Sequence, residues 1–244
     1  MKFTELLKRF FKFTLDGKSM RCINCRQEIF SEEYLCADCQ KEISLIIDGN
    51  YCAHCGRVTK AKETYCLTCK NFMVETDLCR SAFDYTKTAK LIKKLKYDGA
   101  KWLAEFFAKN MAKVYIKEEL FADFITFVPM TEKKQKKRKF NQTELLANSI
   151  STIINLPVVT VIEKIKETPA QAGLKRKDRL ENLTGAFKVI DKQAVLGKTV
   201  LLIDDVLTTG ATAESVAKKL KKSGAKKVIL LTACSAPDIY VKGE

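Results

Sequence analysis

Apolar and polar residues alternate in long blocks near the carboxyl end of the chain. In residues 199–203, Thr199 is followed by four apolar residues without a break, which is typical of a strand buried on both faces of a parallel sheet. Two acids follow, and a stretch of small and hydroxyl-bearing residues then leads into a segment with helical spacing of its apolar positions, through Lys222. Residues 227–232 place four further apolar residues between Lys227 and Thr232. The pattern predicts a strand that ends at the acids, a helix closed by Gly224, and a second parallel strand.

The amino-terminal segment has a different pattern, because charged residues interrupt its apolar positions at roughly helical spacing. Residues 1–19 are therefore predicted to form one amphipathic helix packed on the body of the protein, with membrane-surface or partner binding as the alternative. No apolar run reaches the roughly 18 residues that a membrane span needs, and no signal cleavage site follows. We expect a cytoplasmic protein. The apolar positions of the segment are Phe3, Leu6, Leu7, Phe10, Phe11 and Phe13.

The middle of the chain predicts further elements. Residues 124–129 have the pattern of a strand that ends in a loop. The aromatic residues Trp102, Phe106 and Phe107 recur at helical spacing and are predicted to lie in the core. The lysine-rich stretches 87–96 and 218–227 are predicted to be solvated helix faces.

Cysteine spacing adds an internal repeat. Eight of the ten cysteines form four CxxC pairs, and the unit C-x2-C-x10-C-x2-C recurs 30 residues after its first occurrence. Two CxxC turns bring four sulfurs to one point, which suits tetrahedral Zn²⁺ and, less well, an iron–sulfur cluster. Disulfides are disfavoured in a chain without an export signal. The pairs are Cys22 with Cys25, Cys36 with Cys39, Cys52 with Cys55, and Cys66 with Cys69.

The repeat predicts a double zinc ribbon over residues 20–78 that holds two structural zinc ions. A ligand set within each unit is the simplest arrangement, and a cross-braced one stays open. The single histidine, His54, lies between Cys52 and Cys55, and we expect it at the surface rather than on the metal. Having one histidine also excludes His-rich metal sites and a Ser–His or Cys–His dyad elsewhere. Cys79 and Cys234 are expected to be buried thiols.

Charge separates the two parts of the chain. The 244 residues hold 44 Lys and Arg against 29 Asp and Glu, a formal net charge of +15 that points to polyanionic partners. Residues 1–79 contribute only 12 basic and 11 acidic side chains. With eight thiolates and two Zn²⁺ that part falls to about −3. The excess of positive charge therefore belongs to residues 80–244, and a DNA-binding zinc finger is disfavoured.

The segment between the two predicted carboxyl-terminal strands carries candidate chemistry. In a parallel sheet the ligand crevice lies beyond the carboxyl ends of the strands. Asp204 and Asp205 lie there, where carboxylates can bind the vicinal hydroxyls of a sugar or a hydrated Mg²⁺. Thr208, Thr209 and Thr212, with backbone N–H groups near Gly210, form a nest for phosphate at a helix amino terminus. Together they predict a phosphorylated ribose as ligand.

The sequence LLIDDVLTTGAT closely resembles the phosphoribosyl pyrophosphate signature of type I phosphoribosyltransferases. The resemblance implies an α/β fold with a parallel sheet flanked by helices over residues 79–244, preceded by the small double zinc-ribbon module with its two four-cysteine sites. It assigns Asp204 and Asp205 to catalysis and Mg²⁺ to the bound ligand. The implied ligand-binding residues are Asp204, Asp205, Thr208, Thr209, Gly210, Ala211, Thr212, Pro129 and Arg138.

The order of features is similar to that of the ComF family, which joins a double zinc ribbon to a phosphoribosyltransferase-like domain. The resemblance rests on the cysteine repeat followed by residues 83–85, 91–99, 128–129, 138–142, 168–171 and 185–187. It implies a bacterial cytoplasmic protein of natural transformation that handles incoming single-stranded DNA, with DNA-uptake or recombination proteins as partners. Lys139 stands where that family usually has glycine.

Two basic clusters flank the proposed ligand site. Six of the seven residues 133–139 are basic, and a second cluster follows in the region that resembles a mobile substrate-covering loop. Either can be a solvated loop, but in this position each is predicted to contact pyrophosphate or a nucleic-acid backbone. The residues assigned to this contact are Lys133, Lys134, Lys136, Lys137, Arg138, Lys139, Lys175 and Arg176.

Two functions remain open on the sequence. In the first, the protein binds phosphoribosyl pyrophosphate with Mg²⁺ and serves DNA uptake, whether or not it turns the ligand over. In the second, it is an active, amidophosphoribosyltransferase-like enzyme with an unidentified acceptor and no direct role on DNA. No segment has the pattern of a base-recognition hood, so the acceptor is unidentified. The first function is the one we favour, with turnover left open.

Overall fold

The computed structural model describes residues 21–29, 33–59, 65–72, 75–168 and 182–237. The helix predicted over residues 1–19 and the basic residues Lys175 and Arg176 lie outside them. The chain divides into two compact units, Met1–Ser44 and Leu45–Glu244. The domain boundaries expected from the sequence, 1–19, 20–78 and 79–244, stay predictions.

The first unit holds the first cysteine quartet. A tight turn follows Cys22, whose backbone N–H donates to the carbonyl of Gln27 (2.7 Å), and an antiparallel bridge joins Arg21 to Glu28. Helix α1 (Ala37–Glu42) begins directly after Cys36. One cysteine pair therefore lies on a turn and the other at the start of a short helix.

The second unit begins with a short 3-10 helix (Ile46–Asp48) and a bridge between Tyr51 and Val58. Its remaining elements follow in chain order: α2 (Leu67–Phe72), β1 (Leu78–Asp84), α3 (Tyr85–Tyr97), α4 (Leu103–Lys117), β2 (Phe124–Phe127), α5 (Glu132–Arg138), α6 (Gln142–Ile154), β3 (Ile162–Lys164), β4 (Phe187–Val189), β5 (Thr199–Leu207), α7 (Ala211–Lys222) and β6 (Lys227–Ser235).

Four of these strands form one parallel sheet in the order β1-β6-β5-β2, and β3 pairs with β4 in a separate antiparallel ribbon. Because all four strands run the same way, their carboxyl ends meet at one edge of the sheet. Helix α4 packs on β1 and β6, and α6 packs on β2 and β5. The expected α/β fold, a parallel sheet flanked by helices after a cysteine-rich module, is confirmed.

The hydrophobic core contains the apolar positions that the pattern near the carboxyl end of the chain predicts to be buried. Val216, Ala217 and Leu220 of α7 are fully buried in one cluster with β5 and β6, as their helical spacing predicts. Phe106 and Phe107 are buried in α4, whereas Trp102 is only partly buried. Cys79 and Cys234 are fully buried, and burial raises the pKa of each thiol to about 12.

Strand β5 differs from the prediction, because it does not end at the acids. Its pairing with β6 continues through Asp204, opposite Thr232, as far as Leu207, opposite Ser235. The backbone of the acids is therefore in the sheet, and the loop to α7 shortens to residues 208–210. Since successive side chains of a strand point to opposite faces, the two carboxylates diverge.

Among the described residues, no helix is both long and apolar enough to cross a membrane.

Candidate functional site

The two acids lie at the carboxyl-end edge of the sheet, and Asp205 is held by two side chains from neighbouring helices. Lys96 of α3 forms an ion pair with its Oδ2 (2.8 Å), and Gln142 of α6 donates its Nε2–H to the same oxygen (2.8 Å). Asp205 is buried and Lys96 largely so. Burial by itself would lower the pKa of Lys96, but the charge and hydrogen bond of Asp205 raise it above its usual value.

Asp204 is in a different electrostatic state. Its Oδ1 accepts the backbone N–H of Asp205 (2.8 Å). Burial and the neighbouring charge of Asp205 raise the pKa of Asp204 from 3.8 to about 7. The pair therefore combines one carboxylate neutralised by a lysine with a second one whose charge changes near neutral pH.

A series of side-chain contacts connects Asp205 to the surface of the protein. Arg138 donates from Nη1 to Oε1 of Gln142 (2.6 Å), and its guanidinium lies 5.0 Å from the ring centroid of Tyr97. Tyr97 is next in sequence to Lys96, and Lys96 in turn forms the ion pair with Asp205. Tyr97 is 71% exposed. The structure thus brings the predicted ligand residue Arg138 to the acids through Gln142.

The prediction that residues 87–96 form a solvated face is wrong at Lys96. The sequence offered no charge pattern that separates Lys96 from its neighbours, since its partner Asp205 lies 109 positions further on. Gln142 and Tyr97 lie in the stretches 138–142 and 91–99, on which the resemblance to the ComF family rests. Their place in these stretches was a signal that could have predicted them as residues of the site.

The loop between β5 and α7 has the geometry of an anion nest. Gly210 caps α7 with φ of +79°, a left-handed conformation that favours glycine. The Oγ1 of Thr209 accepts the N–H of Ala211 (3.4 Å), while Thr212 lies in the first turn. Thr208 is exposed at the start of the loop. Helix N–H groups converge here, as phosphate binding requires.

Beneath this loop lies a residue that the sequence did not indicate. Arg57, from the turn that carries Cys55, is fully buried and donates from Nη2 to the carbonyl oxygen of Thr208. Nothing in the pattern of the chain distinguished it from a surface arginine next to a zinc ligand.

The loop after β2 is the second candidate anion site. Its entry is fixed because the carbonyl of Val128 accepts the Oγ1–H of Thr143 (2.7 Å) and the Nδ2–H of Asn141 (3.3 Å). Pro129 is buried. The Oγ1 of Thr131 is also buried and has no hydrogen-bond partner in the described part of the chain.

The basic segment forms α5 and the residue after it. Lys134 donates to the carbonyl of Thr168 (3.0 Å), so it supports the fold in addition to any contact with a ligand. Lys133, Lys136 and Lys137 are exposed, and Lys136 forms an ion pair with exposed Glu132 (3.6 Å). Lys139 has φ of +68°, which accounts for the glycine usual at this position in the family it resembles.

The structure brings the eight predicted metal ligands together in two quartets, each within one sequence unit. The sulfurs of Cys22, Cys25, Cys36 and Cys39 lie within 4.8 Å of one another, as do those of the second quartet, Cys52, Cys55, Cys66 and Cys69. Tetrahedral Zn–S bonds require S–S separations of about 3.8 Å. Cys55 and Cys66 are 3.6 Å apart. The donor sets fit zinc in the sequential arrangement.

The four thiols of the second quartet perturb one another's pKa values. Hydrogen bonds from Cys55, Cys66 and Cys69 lower the pKa of the Cys52 thiol far below its usual value. Hydrogen bonds with Cys52 and Cys55 raise that of Cys69. Four neighbouring thiols cannot all ionise without a cation between them, which is what Zn²⁺ provides. His54, expected at the surface, is partly exposed, with its Nε2 3.2 Å from the Thr76 carbonyl.

Comparisons with known proteins agree with both parts. A double zinc ribbon domain model matches residues 19–81, and a phosphoribosyl transferase domain model matches residues 143–242. Competence protein F of Haemophilus influenzae is 30% identical over 220 residues, covering 86% of this chain and 94% of that protein. Competence protein ComFC of Streptococcus pneumoniae is 29% identical, covering 86% and 97%. DNA utilization protein YhgH of Salmonella typhimurium is 25% identical, covering 87% and 96%.

Proposed function

Since the chain belongs to the ComF family, we propose that it binds phosphoribosyl pyrophosphate with Mg²⁺ and acts in the cytoplasm on single-stranded DNA during uptake. One observation carries the ligand part of the proposal. A single segment, β5 to α7, places a carboxylate pair just before a glycine-capped helix start, so the groups suited to a ribose and to its 5′-phosphate lie a few residues apart.

The second anion site supports the same ligand. Thr131 buries a hydroxyl without a partner among the described residues, at the carboxyl end of β2. Strand β2 pairs directly with β5, so this loop lies beside the acids. A ligand with a phosphate at each end of a ribose would use both loops, and the pyrophosphate would take the Thr131 side.

The carboxylates fit a hydrated Mg²⁺ rather than a cage of protein ligands. Asp205 is already paired with Lys96, which leaves Asp204 to bind the hydration shell of the ion or the ribose hydroxyls. Mg²⁺ would neutralise charge on the pyrophosphate. Asp204 must then lose its proton, so ligand binding should strengthen as pH rises through about 7.

Turnover is the second candidate function, and the intact acid pair favours it. Breaking the bond between C1 and pyrophosphate creates positive charge on the ribose, which ionised Asp204 would stabilise. The acceptor supplies the electron pair for its new bond to C1, and pyrophosphate leaves with the electron pair of the C1–O bond that breaks. No histidine is needed. The protein would then be a phosphoribosyltransferase with an unidentified acceptor and no direct DNA role.

The DNA part of the proposal depends on the surface around α5. Positive charge is presented to solvent by three lysines of α5, Lys133, Lys136 and Lys137. Arg138, at the end of α5, lies against the exposed ring of Tyr97 from α3. Charge that follows a phosphate backbone, next to an aromatic ring on which a base can stack, is the usual combination for single-stranded nucleic acid.

Calorimetric titration with Mg²⁺ and phosphoribosyl pyrophosphate tests the ligand. We expect binding to the zinc-loaded wild type, loss of binding in Asp204→Asn together with Asp205→Asn, and no change in the control Asp38→Asn on the exposed face of α1. An absence of heat with the wild type would overturn the ligand assignment. DNA uptake that stays normal in cells carrying the double variant would show that the pocket does not serve uptake.

Fluorescence anisotropy with a single-stranded oligonucleotide tests the DNA surface. Lys136→Glu with Lys137→Glu should weaken binding and reduce its salt dependence, and Tyr97→Ala should weaken it with little change in that dependence. Lys192→Glu, a charge reversal at an exposed position distant in sequence, is the control. Equal affinity of all variants would contradict a DNA surface on α5. Pyrophosphate release upon addition of a candidate acceptor, without DNA binding, would favour the enzyme.

A further inference from the structure

The second zinc ribbon places an arginine under residues 208–210, the loop between β5 and α7 that is called the phosphate loop below. Arg57 follows Cys55 by two positions, and its side chain is fully buried although it carries a permanent charge. Buried guanidinium groups are costly unless paired, so they are retained where their charge or their geometry has a use. The position 30 residues earlier, in the first ribbon, is the exposed Gln27.

Arg57 and a second contact hold the loop from both sides. Before α7, the guanidinium of Arg57 donates to the carbonyl of Thr208. In the first turn of α7, the carboxylate of Glu214 accepts the N–H of Glu75 (2.8 Å), the N–H of Thr76 (3.1 Å) and the Oγ1–H of Thr76 (2.6 Å). Glu75 and Thr76 belong to the segment that joins the ribbon to β1. Residues on the ribbon side thus fix the start of the phosphate loop and the first turn of the helix that follows it.

Arg57 also has unused hydrogen-bonding capacity. Its Nε and Nη1 atoms are buried and have no hydrogen-bond partner among the described residues. The loop above it presents N–H groups at the start of a twelve-residue helix. A positive charge behind such a nest increases its attraction for a dianionic phosphate in front of it, because the intervening backbone excludes water and lowers the local dielectric.

We propose that Arg57 is a positioning residue of the 5′-phosphate site, and that the second zinc ribbon is therefore a structural part of the phosphoribosyl pocket. The Nη2 contact fixes the Thr208 carbonyl so that the following N–H groups face the ligand, and the charge of Arg57 stabilises the bound phosphate through the loop. The inference rests on the proposed function and adds a residue, and a metal dependence, that the loop sequence alone does not contain.

Substitution of Arg57 separates this role from a role in folding alone. Arg57→Met keeps much of the side-chain length and removes the charge. We expect it to weaken binding of ribose 5-phosphate and of phosphoribosyl pyrophosphate by about tenfold or more, while inorganic pyrophosphate binds as in the wild type. The thermal midpoint should stay unchanged or rise, because an incompletely paired buried charge has been removed.

Arg57→Lys and Gln27→Met complete the test. Lysine keeps the charge without the fork of donors, so its affinity for ribose 5-phosphate should lie between those of wild type and Arg57→Met. If Arg57→Met does not fold, the affinity of Arg57→Lys for ribose 5-phosphate tests the inference by itself. Gln27→Met, the matched change in the first ribbon, should alter neither affinity nor midpoint.

Two results would overturn the inference. The first is an Arg57 variant that binds ribose 5-phosphate as tightly as the wild type. The second is an equal loss of affinity for ribose 5-phosphate and pyrophosphate together with a lower thermal midpoint, which indicates a role in folding only. Failure of the wild type to bind any of the three probes overturns the proposed function first, and this inference with it.

Discussion

The two zinc ribbons are copies of one sequence unit placed in different surroundings. In the first, Cys25 is exposed and the unit Met1–Ser44 is compact by itself. In the second, all four cysteines are buried in the same core as α7 and the central strands β5 and β6. A ligand repeat thus specifies the same four-cysteine site twice, while the residues between the ligands decide what each site supports.

One pair of equivalent positions shows this directly. Arg26 and Gly56 both follow a CxxC pair and have the same left-handed backbone, with φ of +72° and +66°. Arg26 is exposed. A Cβ at Gly56 would lie 2.9 Å from the carbonyl oxygen of Cys79 and 3.0 Å from the Cα of Arg80, both in β1. The turn is common to both ribbons, but only the second needs glycine, because a strand approaches it.

Polar contacts complete the attachment of the second ribbon. The N–H of Cys79 donates to the carbonyl of His54 (2.8 Å). Arg80 donates to the carbonyl of Ala53 (2.8 Å) and pairs with Glu118 (2.6 Å), which also accepts the Tyr51 hydroxyl (2.7 Å). The second ribbon is thereby continuous with the sheet that carries the acids.

Loss of a zinc ligand should affect the two ribbons unequally, and this is the largest effect that we expect. Cys55→Ser removes a ligand buried in the main core, and zinc supplies folding free energy of order 10 kcal/mol, so the unit Leu45–Glu244 should fail to fold cooperatively. Cys25→Ser should lose one zinc and leave the main thermal transition in place. Zinc content and thermal unfolding by circular dichroism measure both. Equal loss of the main transition would contradict the comparison.

Adding a methyl group at the equivalent turns should give the next largest difference. Gly56→Ala forces a Cβ into the backbone of β1 in a left-handed conformation, which should lower the free energy of unfolding by roughly 2–4 kcal/mol. Arg26→Ala, at the exposed turn, should change it by less than about 0.5 kcal/mol. Urea unfolding measures both values. A Gly56→Ala protein as stable as the wild type would show that β1 does not constrain the ribbon.

Titration should also distinguish the two units. Because the pKa of Asp204 is raised from 3.8 to about 7 in the folded state, the folded protein holds a proton there that the unfolded chain has lost. Its contribution to stability is therefore fully present below pH 3.8 and is lost as pH rises through about 7. Asp204→Asn should flatten this slope. In the first unit, by contrast, all the described carboxylates are exposed, namely Glu28, Glu33, Asp38 and Glu42. Thermal midpoints from pH 5 to pH 8 measure the slope.

A modest gain should come from Arg26→Gly, which transfers the residue of the second ribbon to the first. Glycine occupies the left-handed region without steric cost, although it loses more backbone entropy on folding, so stability of the first unit should rise by no more than about 1 kcal/mol. Competition with a zinc chelator, followed as the rate of metal loss, is the measurement. Faster zinc loss than in the wild type would mean that the Arg26 side chain stabilises the turn.

Much of the site could be predicted because its groups are close in sequence. The two quartets, the acids and the threonine-rich loop each fall within 18 residues, and turn geometry and strand-to-helix order fix their arrangement. Lys96 and Arg57 could not be predicted in the same way. Each resembles a solvated basic residue in its own stretch, and its partner, Asp205 or the Thr208 carbonyl, lies more than 100 positions away.

Sequence alone was enough to predict which cysteines come together in each quartet, where the βαβ unit lies and that the positive charge belongs to residues 80–244. Tertiary structure decided which ribbon supports the sheet, which lysine neutralises an acid, and how far β5 continues past residue 203. The difference is the separation along the chain of the residues that interact. Ligand spacing and apolar periodicity are set by local backbone geometry, whereas burial of a charge or exclusion of a Cβ depends on which distant segment packs against that position.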